Sequence, residues 1–250
     1  MKDFVAATDR ALLERHGLAD FDSLWNLSLD NVDDPNTGRG GWSKVSRIDL
    51  DGHGFYLKRQ CNHLTRSFTA PFGEPTFSRE FRYIRCCENR NVPVPTVAFF
   101  AQRLRKEGVC AILITHALDG WQAFEDWLAG WRDRPDVLRA RLLGACGDIA
   151  RRLHAARLTH GAFYPNHIFL RARDDDFDAC LIDLEKVRPL WLGRRDRLRD
   201  LDQFFRHARA LDEAEMGAML VAYLGCAPDD TRIGEWLRRL GARRVHKKRC

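Results

Sequence analysis

The chain has 250 residues, 45% of them hydrophobic and 30% charged, with a formal net charge of +6. That length suits one domain of two lobes with a sizeable core. The start, MKDFVAATDRALLERHG, has no apolar stretch of a secretory signal, and no apolar run approaches a membrane span, so neither export nor membrane insertion is expected. Val5 to His16 reads as a short helix and the residues after it as a strand-like or irregular lead-in. Asp33-Asp34-Pro35-Asn36 breaks the pattern, so residues 1–34 are expected to form an amino-terminal extension. In GRGGWSKVSRIDL, the glycines Gly38, Gly40 and Gly41 precede Ser43 and Val45, and alternation follows through Ile48 and Leu50. Asp51-Gly52-His53-Gly54 is a turn signal, and FYLKRQ is the next strand. A glycine-rich turn can lay backbone N–H groups over phosphates, because nothing bulky blocks close approach, although most glycine clusters are simply turns.

Lys58 stands in that second strand among Phe55, Tyr56 and Leu57. An isolated lysine there is an edge or snorkelling residue, or else a phosphate ligand. Residues 61–75 form a long connector carrying His63 and Arg66. A helix begins at Thr76, with Thr76 or Ser78 as its cap, and Phe77, Phe81, Ile84 and Cys87 recur on one face. Glu80 on this helix would face the sheet near Lys58. Cys86–Cys87 reads as helix packing, and the eight cysteines, none in CxxC spacing, as reduced thiols. Pro93-Val94-Pro95 starts an edge strand through Phe100, Arg103 to Gly108 is a polar turn, and Val109 to Thr115 is a buried strand. His116 to Gly120 reads as a hinge, where backbone groups of His116 and Leu118 would meet a nucleotide base. The expected lobes are therefore residues 35–118 and 119–250.

The second lobe reads as mostly helical. Trp121 to Trp131 is a short helix and Leu138 to Leu153 marks a long one. Two short strands, Ile168 to Leu170 and Ala179 to Leu184, flank an acidic turn from Asp174 to Asp178. Such a hairpin can hold a metal-phosphate at its ends, and Asp183, ending the second strand, suits the metal. A helix opens at Arg199-Asp200, and Met216 to Leu224 and Thr231 to Leu240 are the last two. Asp200 reads equally as an N-terminal helix charge or as an anchor for the backbone of the His160 loop. Basic residues gather at Arg188, Arg194, Arg195, Arg197 and Arg199, and in the tail from Arg238 to Arg249. They read as solvated surface or as a site for an anionic partner. No motif with interleaved aromatics supports nucleic acid.

Together, GRGGWSKVSR, FYLKRQ, FGEPTFSREFR, THGAFYPNHIFL, LIDLEKVR and RDLDQFFR resemble the lipopolysaccharide kinase family, which includes Kdo and WaaP heptose kinases, and in particular its InaA-like branch. The resemblance runs from about Gly38 to Arg206. It implies an α+β, protein-kinase-like bilobal fold with a small β-rich lobe and a larger helical one, and it implies ATP and Mg²⁺ as cofactors. It implies phosphorylation of heptose or a related sugar of the lipopolysaccharide core, or of a lipid-linked precursor, at the cytoplasmic face of the inner membrane. Peripheral contact with anionic membrane agrees with the basic tail. The catalytic set carried over is Lys58, Glu80, His160, Asp183 and Glu185. Gly38, Gly40, Gly41, Ser43, Val45, Lys58, His116 and Leu118 would hold the nucleotide, and Asp183 with His167 the metal. Ala162 stands where active heptose kinases carry the base aspartate, and His167 replaces an asparagine. A substitute base could be His160, Tyr164, an acid near Asp176, or Glu185. Glu185 reads equally as a Mg²⁺ ligand or a surface acid. The other class of function open to this pattern is a pseudokinase scaffold that keeps the fold.

Overall fold

A computed structural model of the chain describes residues 3–32, 34–38, 40–67 and 70–248. Two compact units emerge: Met1–Cys86 with Pro95–Asp119, and Cys87–Val94 with Gly120–Cys250. The first contains β1 (Phe4–Val5), α1 (Arg10–Arg15), α2 (Phe21–Asn26), β2 (Trp42–Leu50), β3 (His53–Cys61), β4 (Leu64–Ser67), β5 (Ala70–Pro75), most of α3 (Thr76–Glu88), β6 (Val97–Arg105) and β7 (Gly108–His116). Its main sheet has five strands in the order β1-β6-β7-β3-β2, and every pairing is antiparallel. Alternation places Leu57 of β3, Phe99 of β6 and Ile112 and Ile114 of β7 in one buried cluster with Leu13, Phe21 and Leu24 of the first two helices.

That cluster corrects the reading of the amino terminus. Residues expected to be an extension pack on the sheet, and Val5, expected to open a helix, pairs with Phe99 in a strand that begins at Phe4, opposite Phe100. β6 is therefore no edge strand. The irregular lead-in contains α2, whose first turn is capped by Asp20 accepting from Asp22 N at 2.9 Å and Ser23 N at 3.0 Å. The far end of α2 is closed by Arg59, 2% exposed, whose Nη1 donates to Leu27 O at 2.6 Å and Trp25 O at 3.0 Å. The connector 61–75 is the hairpin β4–β5, while Phe68, Thr69 and, in the glycine turn, Arg39 lie outside the described residues, as does Asp33.

The second unit contains β8 (Gln122–Ala123), α4 (Phe124–Trp127), α5 (Asp136–Ala155), β9 (Leu158–Thr159), β10 (Ile168–Arg173), β11 (Asp176–Leu181), β12 (Arg188–Pro189), α6 (Arg194–His207), α7 (Glu213–Leu224) and α8 (Thr231–Lys248). The helix expected over Trp121 to Trp131 is thus a two-residue strand, one turn of helix and a tight turn at Trp131–Asp133. α5 buries Leu142, Cys146, Ile149 and Leu153 beside Met219, Leu220 and Tyr223 of α7. The approach needs Gly147, because a Cβ there would lie 2.4 Å from Met219 O. The hairpin β10–β11 reaches further into the expected turn, to Arg173↔Asp176, while β11 ends at Leu181, short of the expected Leu184, which leaves Asp183 beyond the strand end. Residues 87–94 join this unit through Leu181 N on Pro93 O at 3.0 Å and Arg90 Nη1 on Ala156 O at 2.8 Å.

Candidate active site

In the first unit, β3 alternates so that Lys58 and Gln60 share the face opposite Leu57 and Arg59. Lys58 pairs across the sheet with Val45 and Leu113, and its Nζ lies 2.6 Å from Oε1 of Glu80. The Glu80 side chain is 5% exposed and the Lys58 side chain 20%. The helical face of Phe77, Glu80, Phe81 and Ile84 brings the carboxylate to the strand. Gln60 fixes the register: its Oε1 accepts from Phe77 N at 2.8 Å, and its Nε2 donates to His63 O at 2.8 Å. The hydroxyls of Thr76 and Ser78, expected as caps, go instead to His63 O and Gln102 Oε1, each at 2.8 Å. Nothing in the sequence marks Gln60 for this role, which only the fold reveals.

The glycine turn closes a short hairpin in which Asn36 bridges to Ser43. Gly38 N donates to Asn36 Oδ1 at 2.9 Å and Gly41 N to Gly38 O at 3.3 Å. Gly40 has φ +76°, whereas Gly41 is required by packing, since a Cβ there would meet Cys61 O at 2.2 Å. Ser43 and Val45 lie on β2, opposite Gln60 and Lys58. His116 is committed elsewhere. Its Nε2 lies 3.0 Å from Asp9 Oδ2, and its N–H donates to Thr96 O at 2.9 Å, so that N–H is not left for a base. Leu118 lies just past β7, outside any strand or helix.

In the second unit, the loop from His160 to His167 is held by α6. This helix starts at Arg194, not Arg199, which puts Asp200 in its middle, 0% exposed. The N-terminal-charge reading of Asp200 is therefore wrong. Its Oδ2 meets His160 N at 2.7 Å, Thr159 Oγ1 at 2.7 Å and His154 Nε2 at 3.1 Å, and its Oδ1 meets Gly161 N at 3.0 Å. Burial pushes the Asp200 pKa up, but the bonds from His154 and Thr159 and the pull of the His154 and His160 rings outweigh it, and the net shift is downward. Gln203, one turn on, donates to Gly161 O at 3.1 Å and accepts from Phe163 N at 3.3 Å. Gly161 has φ +76°, and a Cβ there would lie 2.8 Å from Lys186 O.

His160 is not a substitute base. It is 0% exposed, its Nε2 sits 3.0 Å from Ile182 O, and its Nδ1 is buried without a partner. Burial is the main cause that pushes its pKa down to about 4. The ring holds the residue before Asp183, so His160 is a positioning residue. Asp183 takes a left-handed conformation, φ 58° and ψ 59°. Beside it, His167 Nδ1 lies 2.9 Å from Ala162 O, an acceptor, so this nitrogen carries the proton. His167 Nε2 faces Asp183 Oδ2 at 3.5 Å. In the neutral ring Nε2 presents a lone pair, and that nitrogen and the Asp183 oxygen would share a cation between them. Among the described residues no cluster of three or more His, Cys, Asp or Glu side chains could hold a metal alone. A hard cation would complete its shell with phosphate oxygens and water, the habit of Mg²⁺. Ala162 is 0% exposed and brings no carboxylate. Asp176 lies at the far end of the hairpin from Asp183. Tyr164 packs on His207, ring centroids 4.6 Å apart. Glu185 follows Asp183 in a tight turn, its side chain 17% exposed and 3.8 Å from Lys186 Nζ.

A model of the lipopolysaccharide kinase (Kdo/WaaP) family matches residues 22–223. Protein InaA of Escherichia coli (strain K12) is 31% identical over 201 residues, covering 78% of this chain and 91% of that protein. Among solved structures, WaaP in complex with acyl carrier protein superposes with a TM-score of 0.70 at 19% identity, covering 96% of this chain and 97% of that one. A mutant of the PAN3 pseudokinase from Neurospora crassa gives a TM-score of 0.49 at 12% identity, covering 98% and 73%. The protein-kinase-like fold accords with the antiparallel sheet of the first unit and the helices of the second.

Proposed function

The chain belongs to the lipopolysaccharide kinase (Kdo/WaaP) family, and from that premise we propose that it is an ATP-dependent sugar kinase acting on heptose, or a related sugar, of the lipopolysaccharide core or its lipid-linked precursor. The observation that carries this reading is the Lys58–Glu80 pair, a 2.6 Å contact between a strand lysine and a nearly buried helix glutamate. The pair fixes an ammonium where flexible lysine would otherwise roam, which lowers the entropy cost of binding phosphate oxygens. ATP with Mg²⁺ would supply the transferable phosphoryl group and neutralise the charge on it. Lys58 would bind the α and β phosphates, and Asp183 with His167 would hold the cation. Glu185 is assigned to accept the acceptor proton. A general base contributes about 10²–10⁴-fold, and phosphoryl transfer is otherwise mostly positioning, so loss of the usual aspartate slows turnover without removing the site.

The buried Ala162 favours a second reading, a nucleotide-binding pseudokinase. Titration calorimetry with ATP, with and without Mg²⁺, on wild type, Lys58→Met and Asp183→Ala tests the nucleotide site. Binding that needs Mg²⁺ and drops at least a hundredfold in both variants is expected. Phosphate content of purified lipopolysaccharide from a deletion strain separates the readings, since unchanged phosphate beside intact ATP binding leaves the pseudokinase. Among the described residues no helix is long and apolar enough to cross a membrane. Work at the inner face of the inner membrane would use the basic tail, of which the side chains from residue 243 onward lie outside the described residues.

A further inference from the structure

α6 carries more than the anchors of the catalytic loop. Its buried face holds Leu198, Leu201, Phe204 and Phe205, while Arg195, Arg199, Gln203 and Arg206 follow at intervals of four, four and three along another. With Arg188 and Asp196 they line a cavity of about 410 Å³. Part of its charge is internally spent. Asp196 receives both Arg188 Nη2 at 2.7 Å and Nη1 at 3.1 Å, together with Leu192 N at 2.9 Å. Arg206 Nε lies 3.3 Å from Asp202 Oδ2. The guanidinium groups of Arg195 and Arg199 have neither ion pair nor hydrogen bond among the described residues. Gln203 lines the same cavity while holding Gly161 O and Phe163 N, the two residues that flank Ala162. Positive charge without a counterion therefore stands one side chain away from the catalytic loop.

We infer that this cavity is a subsite for a phosphate group already carried by the acceptor, with Arg195 and Arg199 as its ligands and Arg206 as a reserve donor. Two planar guanidinium forks one helical turn apart can each take two oxygens of a dianionic phosphate. The volume exceeds that of the phosphate alone and leaves room for part of a sugar. The site selects an acceptor that is a phosphorylated glycan over a neutral one. Its placement on the acceptor side rests on the phosphotransferase reading, but the binding itself does not.

The test uses the full chain and a hexose 6-phosphate against the same hexose without phosphate, by titration calorimetry. Arg195→Gln, Arg199→Gln and the double variant are compared with Arg194→Gln, whose side chain is paired with Glu235 at 3.2 Å and lies off this cavity. Circular dichroism checks that each variant is folded. Binding that requires the phosphate, falls at least tenfold in the double variant, weakens with salt and is unchanged in Arg194→Gln is the expected result. Equal binding of both sugars, no detectable binding of either, or binding indifferent to the double variant overturns the assignment. A parallel sedimentation assay uses phosphatidylcholine vesicles with and without phosphatidylglycerol. If the double variant loses only vesicle binding, the arginines serve the membrane and the subsite is refuted. ATP binding measured on the same samples reports the kinase reading separately, so loss of one does not mask the other.

Discussion

Two loops carry the strongest sequence signals, and they are built in opposite ways. The glycine turn of the first unit is held within itself by Gly38 N on Asn36 Oδ1 and Gly41 N on Gly38 O. The His160 loop of the second unit is held from outside, by Asp200 and Gln203 some forty residues later in the chain. A loop fixed by bonds among its own residues tolerates change at its tip. A loop fixed by a distant buried carboxylate fails as a whole when that group is lost.

The largest expected effect follows from that dependence. Asp200→Ala leaves His160 N, Gly161 N and the Thr159 hydroxyl without their acceptor, so stability should fall by about 3–5 kcal/mol, the usual cost of removing one member of a buried charged network. Urea denaturation measures it, and a loss below about 1 kcal/mol would break the comparison. The next effect is a pH dependence. The His160 pKa is near 4 when folded and 6.5 as the reference value, so the unfolded chain binds the extra proton first as pH falls. Stability is full above the reference value and is lost between about pH 6.5 and 4, by up to about 3 kcal/mol. The lowered Asp200 pKa adds a further loss below the reference 3.8. His160→Gln should flatten the upper part of that slope in denaturation curves taken across this range.

In the glycine turn the effects are smaller and differ between neighbours. Gly41→Ala forces apart Trp42 and Cys61, which are paired across β2 and β3, and should cost about 1–3 kcal/mol. Gly40→Ala meets no atom within 4 Å, so only its positive φ resists, at about 1 kcal/mol. Thermal melts of the two variants rank them, and the reverse order would show that Gly41 is not packed closely against Cys61.

Much of this was legible because it is local. Lys58 in an apolar strand, Glu80 on a helix of regular apolar spacing and Asp183 after a hairpin each announce themselves by neighbours in sequence. Gln60 and Gln203 do not, since a glutamine acquires meaning only from what the fold sets against it. Asp200 is ambiguous in the sequence because a helix opening at Arg199 would put it in the first turn, whereas the helix begins at Arg194. The amino terminus is not legible in the sequence because a strand of two residues is too short to alternate, and α1 and α2 are each six residues long. The roles of Glu185 and of the missing carboxylate at Ala162 depend on a bound substrate, which periodicity cannot describe.

The chain enters the helical unit twice, at residues 87–94 and again from 120 onward. The first visit supplies the carbonyl of Pro93 to Leu181 N and the guanidinium of Arg90 to Ala156 O. A carboxy-terminal fragment cut at Gly120 would therefore begin life with a missing wall, exposing the end of β11 and the close of α5. The helical unit is in this sense not an independent module that recombination could lift out intact. Splitting the gene for dissection, or grafting this half onto another partner, requires carrying the eight-residue visit along as a separate insertion.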